Sequence, residues 1–366
     1  MAELKIGLEG VAVAETQITY INGEKGQLVY RGEKIEDVVN GHIFEEVTYL
    51  LWNGRYPNAD ELNSFKKALA DQRVLPVYLK EILDHLPHEM DMVSVVRSGV
   101  SCLALAGESY PPTQAQAMAV LAKIPTIITY VYNKRNKRAE VEPNPAYAHV
   151  ENYLYMLHGK KPELAHVKAL EAYLILSSDH DMNASAFTAR VVTSTESDIV
   201  SSITAAIGAL KGPLHGGAPS EVDNMLDDIG SKENVEPWLR ARIESGERIM
   251  GFGHRVYKAY DPRAAALKKV VEQFATHSRY FELSIVVEKA AVALLEEYKP
   301  GRKLYPNVEF WASGVLREID LPPELYTPTF CVSRTAGWSA QIMEQSAHNR
   351  LIRPSSIYTG KLPRGE

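Results

Sequence analysis

Cysteine is scarce: Cys102 and Cys331 are the only two in 366 residues, and they stand far apart with no CxxC spacing. That excludes a disulfide framework and a zinc knuckle, and both thiols are expected in the core. No run of eighteen apolar residues occurs, and the opening MAELKIGLEGVAVAETQ lacks an apolar stretch behind a basic start. Neither a membrane span nor a secretory signal is therefore expected, and the protein reads as cytoplasmic. Positive charge is not in excess, since the formal net charge is −6, which argues against general affinity for nucleic acid. Pro/Gly/Ser tracts, charge blocks and internal repeats are missing too, excluding a long disordered tail and a solenoid. Neither GxSxG nor a P-loop occurs, and HEMDM at 88–92 lacks the second histidine of a metalloprotease helix.

What remains is an ordinary globular composition in a chain long enough for two domains, or one large domain with a lobe. TQITYINGEKGQLVYRG alternates apolar and polar residues around a Gly/Asn turn, predicting one small β-hairpin. From Phe44 onward apolar residues recur at three and four spacing, as in FEEVTYLLWNG and ELAHVKALEAYLILSS; Ile199, Ile203, Ile207 and Leu210 mark one helix face, and Leu283, Val287, Ala290 and Leu294 another. The fold class is all-α. Gly212-Pro213 and Lys299-Pro300-Gly301 are helix stops placed to bound a smaller lobe.

Four polar spots interrupt the apolar pattern. In LILSSDHDMNAS an apolar helix runs into Asp179, His180, Asp181 and Asn183; adjacent helical residues face different ways and matched further ligands are missing, so capping competes with a metal reading and is favoured over it. In LKGPLHGGAPSEV, His215 follows a helix stop and precedes a helix start, with small neighbours Gly216, Gly217 and Ala218. Partial positive charge at a helix N-terminus favours a neutral, hydrogen-bond-donating imidazole, although a satisfied loop histidine fits equally well. In ERIMGFGHRVYKAYDPRAAAL, Gly251 and Gly253 precede His254, Arg255, Lys258 and Arg263, a backbone-exposing basic loop suited to phosphates or carboxylates. It is not a dinucleotide fingerprint, because Val256 stands where a third glycine belongs. In PGRKLYPNVEFWASGVL, Asn307 reads as an N-cap that sets Glu309 in a first helical turn, either as a dipole partner or as a base. Arg334 lies inside an apolar helix and needs an anion or a path to water, and Arg353 follows the last helix.

Taken together, these segments resemble the citrate synthase family in its shorter bacterial and archaeal form. GLEG, INGEKGQLVYRG, FEEVTYLL, SSDHDMNAS, AAIGALKGPLHGGA, GFGHRVYKAYDPRA, PGRKLYPNVEF and SRTAGWSAQIMEQ look like its motifs in order. The resemblance implies an all-α homodimer with a large domain (1–214 and 315–366), a small domain (215–314) and a cleft between them. It implies condensation of acetyl-CoA with oxaloacetate and hydrolysis of the thioester to citrate and CoA, with no metal and no permanent cofactor. His215 would donate to the enolate oxygen, Glu309 would be the base, and His254 would polarise the ketone. Arg263, Arg334 and a partner-directed Arg353 would hold carboxylates, with His180 and Asn183 beside them. Met250, Gly251 and Gly253, through their backbone, and Lys258 and Arg302, by charge, would meet CoA. Two features depart from the family pattern: Glu309 stands where an aspartate is usual, and Pro219 where GGAN is common. A 2-methylcitrate synthase using propionyl-CoA is the alternative, and a silent acyl-CoA or citrate-binding regulator is the alternative of another class.

Overall fold

The computed structural model describes residues 4–362 apart from 106, 108–109, 217 and 275–277. Gly217 thus lies outside the described residues, as does the side chain of Pro219. The chain begins with an antiparallel sheet of β1 (Thr19–Asn22), β2 (Gln27–Tyr30) and β3 (Glu33–Lys34). β1 and β2 form the expected hairpin. The two-residue β3, which pairs Val29 with Lys34, was not foreseen, because a strand so short carries no alternation to read.

Helices follow: α1 (Ile35–Gly41), α2 (Phe44–Asn53), α3 (Ala59–Asp71), α4 (Val77–Asp84), α5 (Met92–Ser101), α6 (Gln114–Arg135), α7 (His149–His158) and α8 (Leu164–Ser177). Then come α9 (Ala184–Thr193), α10 (Ile199–Leu210), α11 (Ala218–Ile229), α12 (Val235–Glu244), α13 (Pro262–Phe274), α14 (Arg279–Tyr298), α15 (Val308–Glu318) and α16 (Tyr326–Ala347). Several start where side chains can satisfy the orphan N–H groups of a first turn. Asn58 and Glu61 form a capping box on α3, Thr113 and Gln116 another on α6, and Asp198 caps α10.

Packing divides the helices into two groups. α16 lies buried against α2, α6, α8, α9 and α10, whereas α15 packs with α11 and α13, and α12 with α14. α8 touches both groups, meeting α16 on one side and α13 and α15 on the other. Its C-terminal end, buried at residues 177–180, therefore lies where the groups meet. Gly337 lets α16 approach that end closely, since a Cβ there would overlap the Ser178 carbonyl and stand 2.7 Å from Asp179 Oδ1. α6 is long and apolar enough to cross a membrane by length and composition, but most of it is buried in the protein. Cys331 is buried as expected, while Cys102, at the end of α5, is only half-buried.

Candidate active site

His180, His215, His254, Arg263, Glu309 and Arg334 come from five separated segments and converge electrostatically. Arg334 acts on His180, His215 and Glu309 alike, and Arg263 on His180, His254 and Glu309.

His215 sits in the turn between α10 and α11. Its Nε2 faces Ser185 at the start of α9, 3.3 Å from the backbone N and 2.8 Å from Oγ. A backbone N–H can only donate, so Nε2 accepts and the ring proton belongs on Nδ1. Ser185 Oγ is itself held by Trp338 Nε1–H at 3.0 Å. Burial, reinforced by Arg334, lowers the His215 pKa to about 4, keeping the ring neutral at physiological pH.

His254 is fixed in the opposite sense. Its Nδ1 accepts the backbone N–H groups of Val256 (3.0 Å) and Tyr257 (3.1 Å), which puts the proton on Nε2. Burial, then Arg263, holds its pKa at about 4. Nε2 lies 3.4 Å from Arg263 Nη2. Both atoms then carry protons, so the approach is two donors aimed at one place rather than a bond between them. His180 lies alongside, its ring 5.3 Å from that of His254 and its Nε2 3.3 Å from Tyr257 OH; burial holds it well below its usual pKa.

The two arginines differ. Arg263, in the first turn of α13, is buried and bidentate with buried Asp261 (3.0 and 2.8 Å), whose Oδ2 also accepts the N–H of Val308 at the start of α15 (3.1 Å). Arg334, in the middle of α16, is only 2 % exposed, and its Nε and Nη1 have no hydrogen-bond partner among the described residues. An unpaired buried guanidinium is costly and stays charged; Asp179 and Glu309 act on it through space without a hydrogen bond.

Glu309 follows the N-cap Asn307, whose Oδ1 accepts its N–H at 3.0 Å. Burial raises its carboxyl to about 7 despite the pull of Arg263 and Arg334, so it is poised near neutrality rather than fully ionised as a first-turn acid would be. The Met250–Gly253 loop is pinned to the residues before α15: Gly253 N–H donates to Tyr305 O (2.8 Å), Asn307 N–H to Gly251 O (2.9 Å) and Asn307 Nδ2 to Gly253 O (3.0 Å). Gly251 and Gly253 both adopt left-handed φ, and a Cβ on either would crowd Phe310 or Leu304. Part of the backbone expected to meet CoA is therefore engaged within the protein. Lys258 and Arg302 are exposed, and Met250 is half-buried.

Asn183, expected beside His180 at the substrate end, is engaged within the protein. Its Oδ1 accepts from Ala186 N and lies 2.8 Å from Ser185 Oγ, and its Nδ2 donates toward the Asp181 and His180 carbonyls. With both ends engaged it caps α9 and steadies the segment between His180 and Ser185. Arg353 is exposed on the extended chain after α16 and is not gathered with the others. It lines a separate cavity of about 1030 Å³ with residues of the 8–17 segment and the end of α16. Sequence reasoning missed Asp261, Tyr257, Ser185 and Trp338. Only Asp261 left a local signal, the Asp-Pro pair that opens a helix two residues before Arg263.

Comparison with known proteins agrees with this architecture. The family model "Citrate synthase, C-terminal domain" matches residues 7–355. The chain is 41% identical to citrate synthase 2 of Bacillus subtilis over 97% of its length and 95% of the relative's. It is 37% identical to a 2-methylcitrate synthase of Shewanella oneidensis, over 98% and 95%. Its fold matches the citrate synthase of the archaeon Thermoplasma acidophilum, solved as a ternary complex with carboxymethyl coenzyme A and oxaloacetate, with a TM-score of 0.92 at 32% identity, covering 100% of this chain and 98% of that one. A likeness that runs through nearly the whole sequence and the whole backbone makes this chain a member of the citrate synthase family.

Proposed function

We propose that this enzyme condenses acetyl-CoA with oxaloacetate and hydrolyses the resulting thioester to citrate and CoA. Acetyl-CoA and oxaloacetate are both substrates, and no permanently bound cofactor takes part. The observation that carries the reading is Arg334, buried with no partner for Nε and Nη1 among the described residues and within electrostatic reach of Arg263, whose Nη2 stands 3.4 Å from the protonated Nε2 of His254. Two fixed cations and a neutral donor suit a dicarboxylate with a ketone between its charges. Glu309, as carboxylate, takes a proton from the acyl methyl while His215 Nδ1–H donates to the thioester oxygen where enolate charge grows. The methyl carbon then bonds to the ketone carbon, and the ketone oxygen, hydrogen-bonded to His254 Nε2–H, becomes the alkoxide and is protonated. Water cleaves the thioester and CoA leaves.

The finer organisation follows the same reading. Residues 1–214 and 315–366 form the large domain and 215–314 the small one, so that His180 and Arg334 face His254, Arg263 and Glu309 across a cleft. Met250, Gly251, Gly253, Lys258 and Arg302 border the CoA end. The enzyme is an acyltransferase acting in the cytoplasm as a homodimer, with Arg353 serving the partner's cleft. Support for the last point is its exposure on an extended tail with Leu351, Ile357, Tyr358 and Leu362, all exposed apolar residues. Arg353→Ala and His215→Ala homodimers are each expected to be nearly inactive, whereas mixed dimers contain one intact cleft and recover part of the activity. Absence of recovery in demonstrated heterodimers would remove Arg353 from a shared site.

The 2-methylcitrate synthase among the relatives favours a second reading with propionyl-CoA. The acyl pocket then discriminates one methylene, worth roughly 1–3 kcal/mol. CoA release with oxaloacetate and acetyl-, propionyl- or butyryl-CoA decides the matter. Turnover is expected, fastest with acetyl-CoA; binding without turnover of any of the three would point instead to a regulator.

A further inference from the structure

The N-terminal hairpin is remote from the site in sequence yet touches both of its walls. At its base, Thr19 Oγ1 donates to Asp179 Oδ2 (2.6 Å), and Tyr30 OH donates to the Asp179 carbonyl (2.8 Å) while accepting its N–H (3.1 Å). That ties β1 and β2 to the residue preceding His180. At its tip, the turn Gly23-Glu24-Lys25-Gly26 between the paired Asn22 and Gln27 lies against the loop that follows His254, where Lys258 N–H donates to the Gly23 carbonyl at 3.0 Å. This contact has no room for side chains. A Cβ at position 23 would overlap the Val256 carbonyl, and one at position 26 would stand 2.8 Å from the Tyr260 carbonyl and 3.3 Å from Ala259 Cβ.

The loop so held contains the groups that orient the histidines. Val256 and Tyr257 supply both N–H donors to His254 Nδ1, and Tyr257 OH reaches His180 Nε2. We propose that the glycine turn at the hairpin tip is a positioning element for the oxaloacetate end of the site. Docked on residues 256–260, it holds the peptide units that keep the His254 proton on Nε2 and Tyr257 against His180. This rests on the oxaloacetate reading above. Gly23 is the sensitive point. Its φ is not in the left-handed region, so alanine suits its backbone, and the nearest atoms its Cβ meets are the peptide and Cγ1 of Val256.

The test compares the wild type with Gly23→Ala, with a hairpin in which residues 23–26 are replaced by the dipeptide Asn-Gly, and with Gly41→Ala, where an added Cβ meets nothing within 4 Å. The Asn-Gly turn keeps the strands paired but withdraws the tip. A displacement of about 1 Å in catalytic geometry can cost about 100-fold. The expected result is a rise of about tenfold or more in the KM for oxaloacetate in both hairpin variants, clearly larger than the change in the KM for the acyl-CoA, which Lys258 on the same loop would meet, with the melting temperature unchanged and with Gly41→Ala equal to wild type. Unaltered oxaloacetate KM in both hairpin variants, or an equal rise for both substrates, would overturn the proposal. A wild type that does not turn over oxaloacetate would instead overturn the functional reading on which it stands.

Discussion

Glu309→Gln is expected to lose about 100-fold or more in turnover while oxaloacetate binding survives, because the amide keeps the size and hydrogen bonding of the side chain but cannot accept the methyl proton. Deuterium exchange at the methyl of a non-reacting acetyl-CoA analogue isolates that proton transfer, and exchange persisting unchanged in the variant would remove Glu309 from the mechanism. The pH profile offers a second view. With its carboxyl raised to about 7 by burial, the base is protonated below that value and ionised above it, so kcat/KM should climb as pH rises through about 7. His215 and His254, held at about 4, stay neutral across that range and add no limb of their own. The limb should vanish in Glu309→Gln. Glu309→Asp keeps the carboxylate within reach and is expected to remain within about tenfold of wild type.

Arg334→Met should nearly abolish oxaloacetate binding without destabilising the free protein, and the contrast with Arg263→Met is the sharper measurement. Arg334 is buried with two nitrogens unsatisfied among the described residues and meets Asp179 and Glu309 only through space, so an apolar side chain of similar length removes a desolvated charge rather than a hydrogen-bonded ion pair. The melting temperature of the ligand-free variant is expected to equal or exceed that of the wild type. Arg263 is paired with Asp261, and its removal leaves a buried carboxylate alone, a change that costs about 3–5 kcal/mol in comparable pairs. In both variants the melting-temperature rise that oxaloacetate gives the wild type should be erased, because a ligand stabilises only the form it binds. A marked loss of stability in free Arg334→Met, or an undiminished oxaloacetate shift, would contradict this account.

The helices were legible because their apolar faces repeat and their ends carry local signals. Ile199, Ile203, Ile207 and Leu210 are all buried as their spacing required, and Asn307 caps α15 as its place before Val308 suggested. The site was legible wherever polar residues interrupt such a face, as at His180, His215, Glu309 and Arg334. Partners across space left little trace. Ser185 reaches His215 from thirty positions away, and Trp338 reaches Ser185 from 153. The capping duty of Asn183, by contrast, agrees with the capping reading of its segment, because an amide before an apolar helix is a local signal.

The bonds joining Gly251 and Gly253 to Tyr305 and Asn307 bear on inheritance. They make the turn before His254 and the start of α15 one piece, so the backbone beneath residue 309 cannot shift to suit a longer or shorter acid without carrying the turn beside it. Exchange of aspartate for glutamate at 309 is therefore a change to two neighbouring segments at once. Lineages that crossed between the two acids would be expected to carry compensating substitutions in 250–254 and 304–307, and chimaeras that move both segments together should outperform those that move the acid alone.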